Sequence, residues 1–173
     1  MATAAPARAF FGQIDSTSIL KLSGQIRYIA ARGLKDFVDR ALERPDLDTF
    51  VVDLRDVELI DSTGMGMLAR LGRNTLERHG RRAVLVCKVK DVLTSLHSAS
   101  FDTLFLMEEG WPLEAETPLD EVPLGEPLSN ADRSVGQLIL QAHKDLAAMC
   151  ESNARVFGGV VSAMEQDLSK TPN

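Results

Sequence analysis

The chain has 173 residues, of which 45% are hydrophobic and 25% charged, and its formal net charge is −6. These values are typical of one globular domain with an appendage. No apolar run reaches 18 residues, so we expect no membrane insertion, and the N-terminus lacks the apolar core of a secretory signal. Residues 1–107 carry 15 Lys and Arg against 13 Asp and Glu, whereas residues 108–173 carry 4 against 12. That distribution argues against direct nucleic-acid binding, which needs a basic surface.

Hydrophobic periodicity predicts alternating strands and helices up to residue 108. The predicted strands cover residues 9–13, 19–22, 49–54, 83–86 and 104–107, and the predicted helices cover residues 29–44, 61–79 and 89–98. Ile29 and Phe37 are expected on the buried face of the first helix, and Gly80 is a typical C-terminal stop for the second. The order β-β-α-β-α-β-α-β predicts an α/β fold, in which a mixed sheet within a domain of residues 9–108 carries helices packed against it.

Residues 109–129 differ from this domain in composition. They contain four prolines and six acidic residues but no Lys or Arg, which predicts an extended acidic linker. The second helix carries a local basic surplus that includes Arg70 and Arg73. We expect the acidic segment to fold back on this basic surface.

Residues 130–168 are predicted to form a long C-terminal amphipathic helix. Apolar residues recur at alternating spacings of four and three from Val135 to Ala163, which is a heptad stripe. Asn153 falls within the stripe, where a buried Asn fixes the register of a two-stranded coil. Gly158 and Gly159 weaken that interpretation by roughly 1 kcal/mol each. Two interpretations remain: the helix packs on its own domain, or residues 135–163 form a homodimer or bind a partner.

The turn before the second helix contains residue types that cap helices. Asp61, Ser62, Thr63 and Gly64 follow the apolar strand and precede the helical period. In one interpretation, Asp61 or Ser62 is only the N-cap. In the other, Ser62 is phosphorylated, because a helix N-terminus accommodates the −1.5 to −2 charges of a phosphoserine.

The segment from Phe10 to Glu108 resembles a known family. The run Ile60-Asp61-Ser62-Thr63-Gly64-Met65-Gly66, which follows Val-Val-Asp-Leu, is similar to the signature of STAS domains, and among them of the anti-sigma factor antagonists. This resemblance implies a STAS-like mixed sheet and makes Ser62 the phosphoacceptor, with Thr63 as a further acceptor. The other motif and partner-binding residues that it implies are Asp61, Thr63, Gly64, Met65 and Gly66.

The resemblance also implies the partners. In the family, an anti-sigma factor that is also a serine kinase phosphorylates this serine, and a Ser/Thr phosphatase removes the phosphate. The unphosphorylated form binds the anti-sigma factor and thereby frees the sigma factor. The expected protein is therefore a cytoplasmic regulator that switches partners and is not an enzyme.

One position departs from the family pattern. Many members have Gly-Glu-Leu-Asp after the second strand, whereas this chain has Gly24-Gln25-Ile26-Arg27. A base therefore replaces the acid that contributes to the kinase-facing surface. The alternative function is a structural adaptor subunit of a signalling scaffold or transporter complex, in which Ser62 is only a helix cap.

Other chemistry is not indicated by the residue pattern. His79, His97 and His143 have no Cys or carboxylate at ligand spacing, so we expect no metal site and no cofactor. Neither a phosphate-binding glycine loop nor a nucleophile elbow occurs. Cys87 and Cys150 lie in apolar patterns and are expected to be reduced thiols.

Overall fold

The computed structural model describes residues 5–44, 48–111, 117–124 and 133–170. Within these ranges the strands are β1 (Arg8–Ile14), β2 (Thr17–Ile26), β3 (Thr49–Ile60), β4 (Ala83–Val86), β5 (Phe105–Glu108) and β6 (Asp120–Val122). The α-helices are α1 (Ala31–Leu42), α2 (Ser62–His79), α3 (Lys90–Ser98), α4 (Arg133–Ala147) and α5 (Glu151–Lys170). Short 3-10 turns occupy Tyr28–Ala30 and Phe101–Thr103. None of the described helices combines the length and the apolar character needed to cross a bilayer.

The strands form one mixed sheet in the order β5-β4-β3-β2-β1-β6. Strands β2 to β5 pair in parallel, whereas β1 is antiparallel to β2 and β6 is antiparallel to β1. The parallel pairs are joined through helices, as the alternating sequence pattern predicted. The α/β fold class and the predicted order are confirmed, and β6 is an addition.

The two faces of the sheet are covered differently. Alternate strand residues such as Leu20 and Val52 enter the main core with α1, α2 and α4. Their neighbours Ile19 and Val51 point to the opposite face, where they form a smaller cluster with Val86. The core is largely aliphatic, and its aromatic part includes the stacked rings of Phe101 and Phe105.

Two elements differ in length from their predictions. Strand β3 continues to Ile60 instead of ending at Leu54, since Gln25 and Ile26 of β2 still pair with Leu59 and Ile60. At the other end of α2, Gly80 adopts φ 66° and donates its N–H to the Leu76 carbonyl oxygen. A left-handed residue at this position ends the helix at the predicted residue.

The predicted C-terminal helix consists of two helices, α4 and α5, with a turn at residues 148–150. Helix α4 packs against α2, and α5 packs antiparallel against α4. The Lys144 ammonium lies 2.6 Å from the Glu165 carboxylate, and the rings of His143 and Phe157 meet edge to face. We call α4 and α5 the C-terminal hairpin.

Asn153 has a different role from the one that the heptad pattern suggested. Its buried amide donates to the carbonyl oxygens of Ala99 (2.9 Å) and Leu146 (3.1 Å), so it fastens α5 to its own domain. Most of the α4 half of the apolar stripe, including Ala142, is likewise buried within this chain. In the α5 half, Val156 and Val160 are exposed.

Three residues of the acidic segment form the outer edge of the sheet. Residues 120–122, as β6, pair with residues 9–11 of β1, and the Glu121 carboxylate accepts two hydrogen bonds from the Arg8 guanidinium at 2.8 and 3.0 Å. The prediction that the segment covers the basic surface of α2 is wrong for these residues. Residues 112–116 and 125–132 lie outside the described ranges.

Apolar residues of the same segment cover the second face of the sheet. Trp111 and Leu119 pack on the smaller cluster, and the Arg55 guanidinium lies 4.7 Å from the Trp111 ring centre. Arg55 also makes a bidentate contact with buried Asp53, at 2.9 Å to each carboxylate oxygen. The tryptophan therefore shields an ion pair in addition to the apolar cluster.

The two cysteines are free thiols in contrasting surroundings. Hydrogen bonds with Ser100 and Ser152 lower the pKa of the half-buried Cys150 to about 7, whereas burial raises the pKa of Cys87. The thiolate is the reactive form. Iodoacetamide at pH 7 should therefore alkylate Cys150 well before Cys87, at a rate that falls as the pH is lowered below 7.

Mass spectrometry of alkylated peptides over time would measure this difference in reactivity. The Cys150→Ser variant should take up label only when denaturant exposes Cys87. Equal labelling rates for both thiols in the folded protein would contradict the prediction.

Candidate functional site

Asp61 holds together the turn that begins α2. Its Oδ1 accepts a hydrogen bond from the Gly64 N–H at 2.8 Å, and its Oδ2 accepts one from the Tyr28 N–H at 2.7 Å. The Asp61 N–H in turn donates to the Ile26 carbonyl oxygen at 3.0 Å. Asp61 is thus the N-cap of α2 and also fastens the helix to the end of β2.

Ser62 follows the cap as the first residue of α2. It is half-buried, and no hydrogen bond to its hydroxyl is made by any residue in the described ranges. The interpretation of this turn as a helix cap therefore holds for Asp61 and not for Ser62. The Ser62 hydroxyl is left available for chemistry at the surface.

The other motif residues face the interior. Thr63 is 3% exposed, and Met65 lies in the main core. A Cβ atom on Gly64 would lie 2.9 Å from the Ile26 side chain, and one on Gly66 would lie 2.3 Å from the Ala142 carbonyl oxygen. These two glycines allow α2 to approach β2 on one side and α4 on the other.

This burial separates the predicted site residues into two groups. Asp61, Thr63, Gly64, Met65 and Gly66 build and pack the turn, and Ser62 is the motif residue whose hydroxyl can be reached from solvent. Thr63, the other hydroxyl-bearing residue of the motif, is enclosed.

Two exposed apolar residues lie in the elements that flank the turn of Ser62. The 3-10 turn that contains Ile29 contacts α2, and Leu59 lies near the end of β3, three residues before Ser62. Ile29 is 39% exposed and Leu59 37% exposed. The prediction that Ile29 belongs to the buried face of the first helix is wrong, because that helix begins only at Ala31.

Leu59 was not predicted as an exposed residue near the motif, because the predicted strand ended at Leu54 and β3 continues to Ile60. Val57 and Ile60 are buried, whereas Glu58 and Leu59 between them are exposed. This end of β3 therefore lies at the protein surface. In the sequence, the available sign of an exposed apolar residue was that Leu59 directly follows the charged Glu58. Together with Arg27, which is also exposed, these side chains form what we call the Ser62 surface.

A cleft of about 830 Å³ lies between α1, α2 and α4. It borders the later turns of α2, from Arg70 onward, and so lies more than two helical turns from Ser62. Both arginines that α2 contributes to its lining are paired, since Arg70 contacts Asp39 at 2.9 Å and Arg73 contacts Asp145 at 2.6 Å. The described residues place no set of three or more His, Cys, Asp or Glu side chains where they could hold a metal ion.

Comparison with solved structures gives the same fold. An anti-sigma factor antagonist from Mycobacterium paratuberculosis superposes with a TM-score of 0.55 at 21% identity, over 62% of this chain and 92% of that one. The anti-sigma factor antagonist SpoIIAA in its unphosphorylated form superposes with a TM-score of 0.51 at 16% identity, over 58% of this chain and 87% of that one. At these identities the similarity shows a shared fold.

A family model identifies the domain directly. The model described as STAS domain matches residues 11–115. This range contains the second half of β1, all of β2 to β5, the Asp61 cap and the Ser62 surface. Since the match spans more than half of the sequence, the chain belongs to the STAS domain family.

Proposed function

We propose that this protein is an anti-sigma factor antagonist controlled by phosphorylation of Ser62. The unphosphorylated form binds an anti-sigma factor or serine kinase in the cytoplasm, and the phosphorylated form releases it. The observation that carries the proposal is the position of Ser62, which is accessible at the start of α2 while Asp61 already caps the helix. The Ser62 hydroxyl is therefore not required to hold the turn.

The chemistry of the switch is a phosphoryl transfer and its reversal. A kinase transfers the γ-phosphoryl group of ATP to the Ser62 Oγ, with release of ADP and the hydroxyl proton. A Ser/Thr phosphatase then hydrolyses the phosphomonoester. This chain supplies only the acceptor oxygen, and so it acts as a binding protein rather than an enzyme.

The fold tolerates the phosphate, whereas an interface does not. The free N–H groups and dipole of the α2 N-terminus favour a negative charge, so the domain keeps its structure. A partner that docks over Ser62 and uses nearby exposed apolar residues such as Ile29 would exclude water from the Ser62 hydroxyl. Placing a dianion in such an interface costs several kcal/mol, and about 1.4 kcal/mol already changes affinity tenfold.

A second candidate function is a structural adaptor subunit. It is favoured by Val156 and Val160, which α5 exposes to solvent. A homodimer would use the same side of α5, because most of the α4 part of the predicted stripe is buried. In either case binding would not depend on Ser62.

Pull-down from lysate of the native cell distinguishes these functions. The Ser62→Ala bait should retain an anti-sigma factor or serine kinase, and Ser62→Asp should lose it, with at least tenfold weaker affinity for the purified partner. Ser152→Asp is the matched control, because Ser152 is an exposed serine in the first turn of α5. It places the same charge at another helix start and should bind as the wild type does.

Purified kinase should add one phosphate to the wild type and none to Ser62→Ala, because Thr63 is enclosed. Equal retention of the same proteins by Ser62→Ala and Ser62→Asp would reject the switch and favour the adaptor.

A further inference from the structure

Arg27 is held next to Ser62 by the backbone on both of its sides. The preceding residue, Ile26, accepts a hydrogen bond from the Asp61 N–H, and the following residue, Tyr28, donates its N–H to the Asp61 carboxylate. Arg27 is therefore clamped to the residue that precedes Ser62. Arg27 has an extended backbone, with φ −119° and ψ 169°, and it is the residue directly before the 3-10 turn at Tyr28–Ala30.

The Arg27 guanidinium is exposed and has no ion-pair partner within the described ranges. Two cations of neighbouring elements are engaged, since Lys21 of β2 contacts Asp56 at 2.6 Å and the guanidinium of Arg32 in α1 contacts the Ser134 hydroxyl. The Asp61 carboxylate accepts one backbone N–H at each oxygen, and it forms no ion pair with the Arg27 guanidinium. Glu58 is the other acidic group at this end of β3, and it is exposed.

We propose that Arg27 binds the phosphate of phosphorylated Ser62 within the same chain. A guanidinium presents parallel N–H donors that match two phosphate oxygens, which makes this the strongest pairing a protein side chain offers a phosphomonoester. The inference rests on the proposed function, because it requires that Ser62 be phosphorylated. It gives a role to Arg27, which stands where the family pattern has an acid.

Such a contact changes the charge that a partner meets. Without phosphate, the Ser62 surface presents the free cation of Arg27 beside Ile29 and Leu59. With phosphate, the cation is neutralised within the chain and the surface becomes negative. A partner that uses a carboxylate to contact Arg27 would lose its counter-ion and face an anion.

Titration of the phosphate by ³¹P NMR tests the contact directly. Phosphoserine is inserted at position 62 of the full chain during translation, and its second pKa is measured in the wild type and in Arg27→Gln at low ionic strength. The wild-type value should be lower by on the order of half a pH unit, because a nearby cation favours the dianion. The difference should shrink in 0.5 M salt, which screens exposed charges.

Two further variants sharpen the test. Arg27→Lys should keep part of the shift in the phosphate pKa, since lysine retains the positive charge but lacks the paired N–H donors of a guanidinium. Arg155→Gln removes an exposed arginine from α5 and should titrate as the wild type does. Identical phosphate titrations in the wild type and Arg27→Gln at low salt would overturn the inference.

Because the phosphate is installed without a kinase, this result is independent of the proposed function. If Ser62 is never phosphorylated in the cell, the function fails while the titration can still show the contact. If the switch operates but the titrations coincide, only the role of Arg27 is rejected.

Discussion

Arg73→Met is expected to lower the free energy of unfolding by about 3 kcal/mol, measured by urea denaturation at pH 7. Asp145 is 2% exposed, and its Oδ1 lies 2.6 Å from the Arg73 guanidinium. Its Oδ2 is buried without a hydrogen-bond partner among the described residues. Removing Arg73 leaves a carboxylate enclosed between α2 and α4 with only a 3.5 Å contact from the Gln141 amide.

Two variants identify the buried charge as the cause. Arg70→Met breaks the contact with Asp39, a half-exposed pair, and should cost less than about 1 kcal/mol. Adding Asp145→Leu to Arg73→Met should recover most of the lost stability, because the unpaired charge is then gone. Similar small losses for Arg70→Met and Arg73→Met would contradict the assignment.

Gly66→Ala should destabilise the protein by about 1–3 kcal/mol, even though alanine favours helices by up to about 1 kcal/mol over glycine. The new Cβ would lie 2.3 Å from the carbonyl oxygen of Ala142 and 2.6 Å from its carbonyl carbon. These are backbone atoms, so relief requires α4 to move away from α2. Hydrogen exchange of α4 amides should accelerate together with the loss of stability.

Gly159→Ala provides the matched control for Gly66→Ala. Gly159 is also helical, but beyond its own stretch of helix a Cβ there would have no atom of the described residues within 4 Å. This variant should be stabilised by up to about 1 kcal/mol, with α4 exchange unchanged. A gain of stability in both variants would show that α4 does not lie against Gly66 in solution.

Much of the fold could be predicted because its signals are local. The alternation of strands and helices and the stop at Gly80 are visible in short windows, and the structure confirms them. Strand β6 gives no such signal, since three residues from 120 to 122 have no informative period. It forms because β1 offers an unpaired edge, and that is a tertiary property.

The C-terminal hairpin shows a different limit. A heptad stripe reports that a helix has an apolar face, but it does not report what covers that face. Asn153 fits a coiled-coil seam in the sequence, yet in the structure it bonds to Ala99 and Leu146 of the same chain. The break at residues 148–150 divides the stripe, so that Val135 is buried while Val156 is exposed.

The candidate site was likewise predictable in part. The residue types from Asp61 to Gly64 identified a capped helix start, and the structure assigns the cap to Asp61. Which motif residues reach solvent depends on α4 and β2, which no local pattern at the motif reveals. The position of Arg27 beside Asp61 depends on the pairing between β2 and β3, so it could not be predicted from a local sequence pattern either.

Strand β6 also bears on how the chain is synthesised. Strand β1 leaves the ribosome before its edge partner β6, which follows about a hundred residues later. Until residues 120–122 emerge, the outer N–H and C=O groups of residues 9–11 are open to pairing with another nascent chain. Arg8 at the start of this edge supplies a charge that disfavours such pairing, and Glu121 neutralises it once the strand is in place.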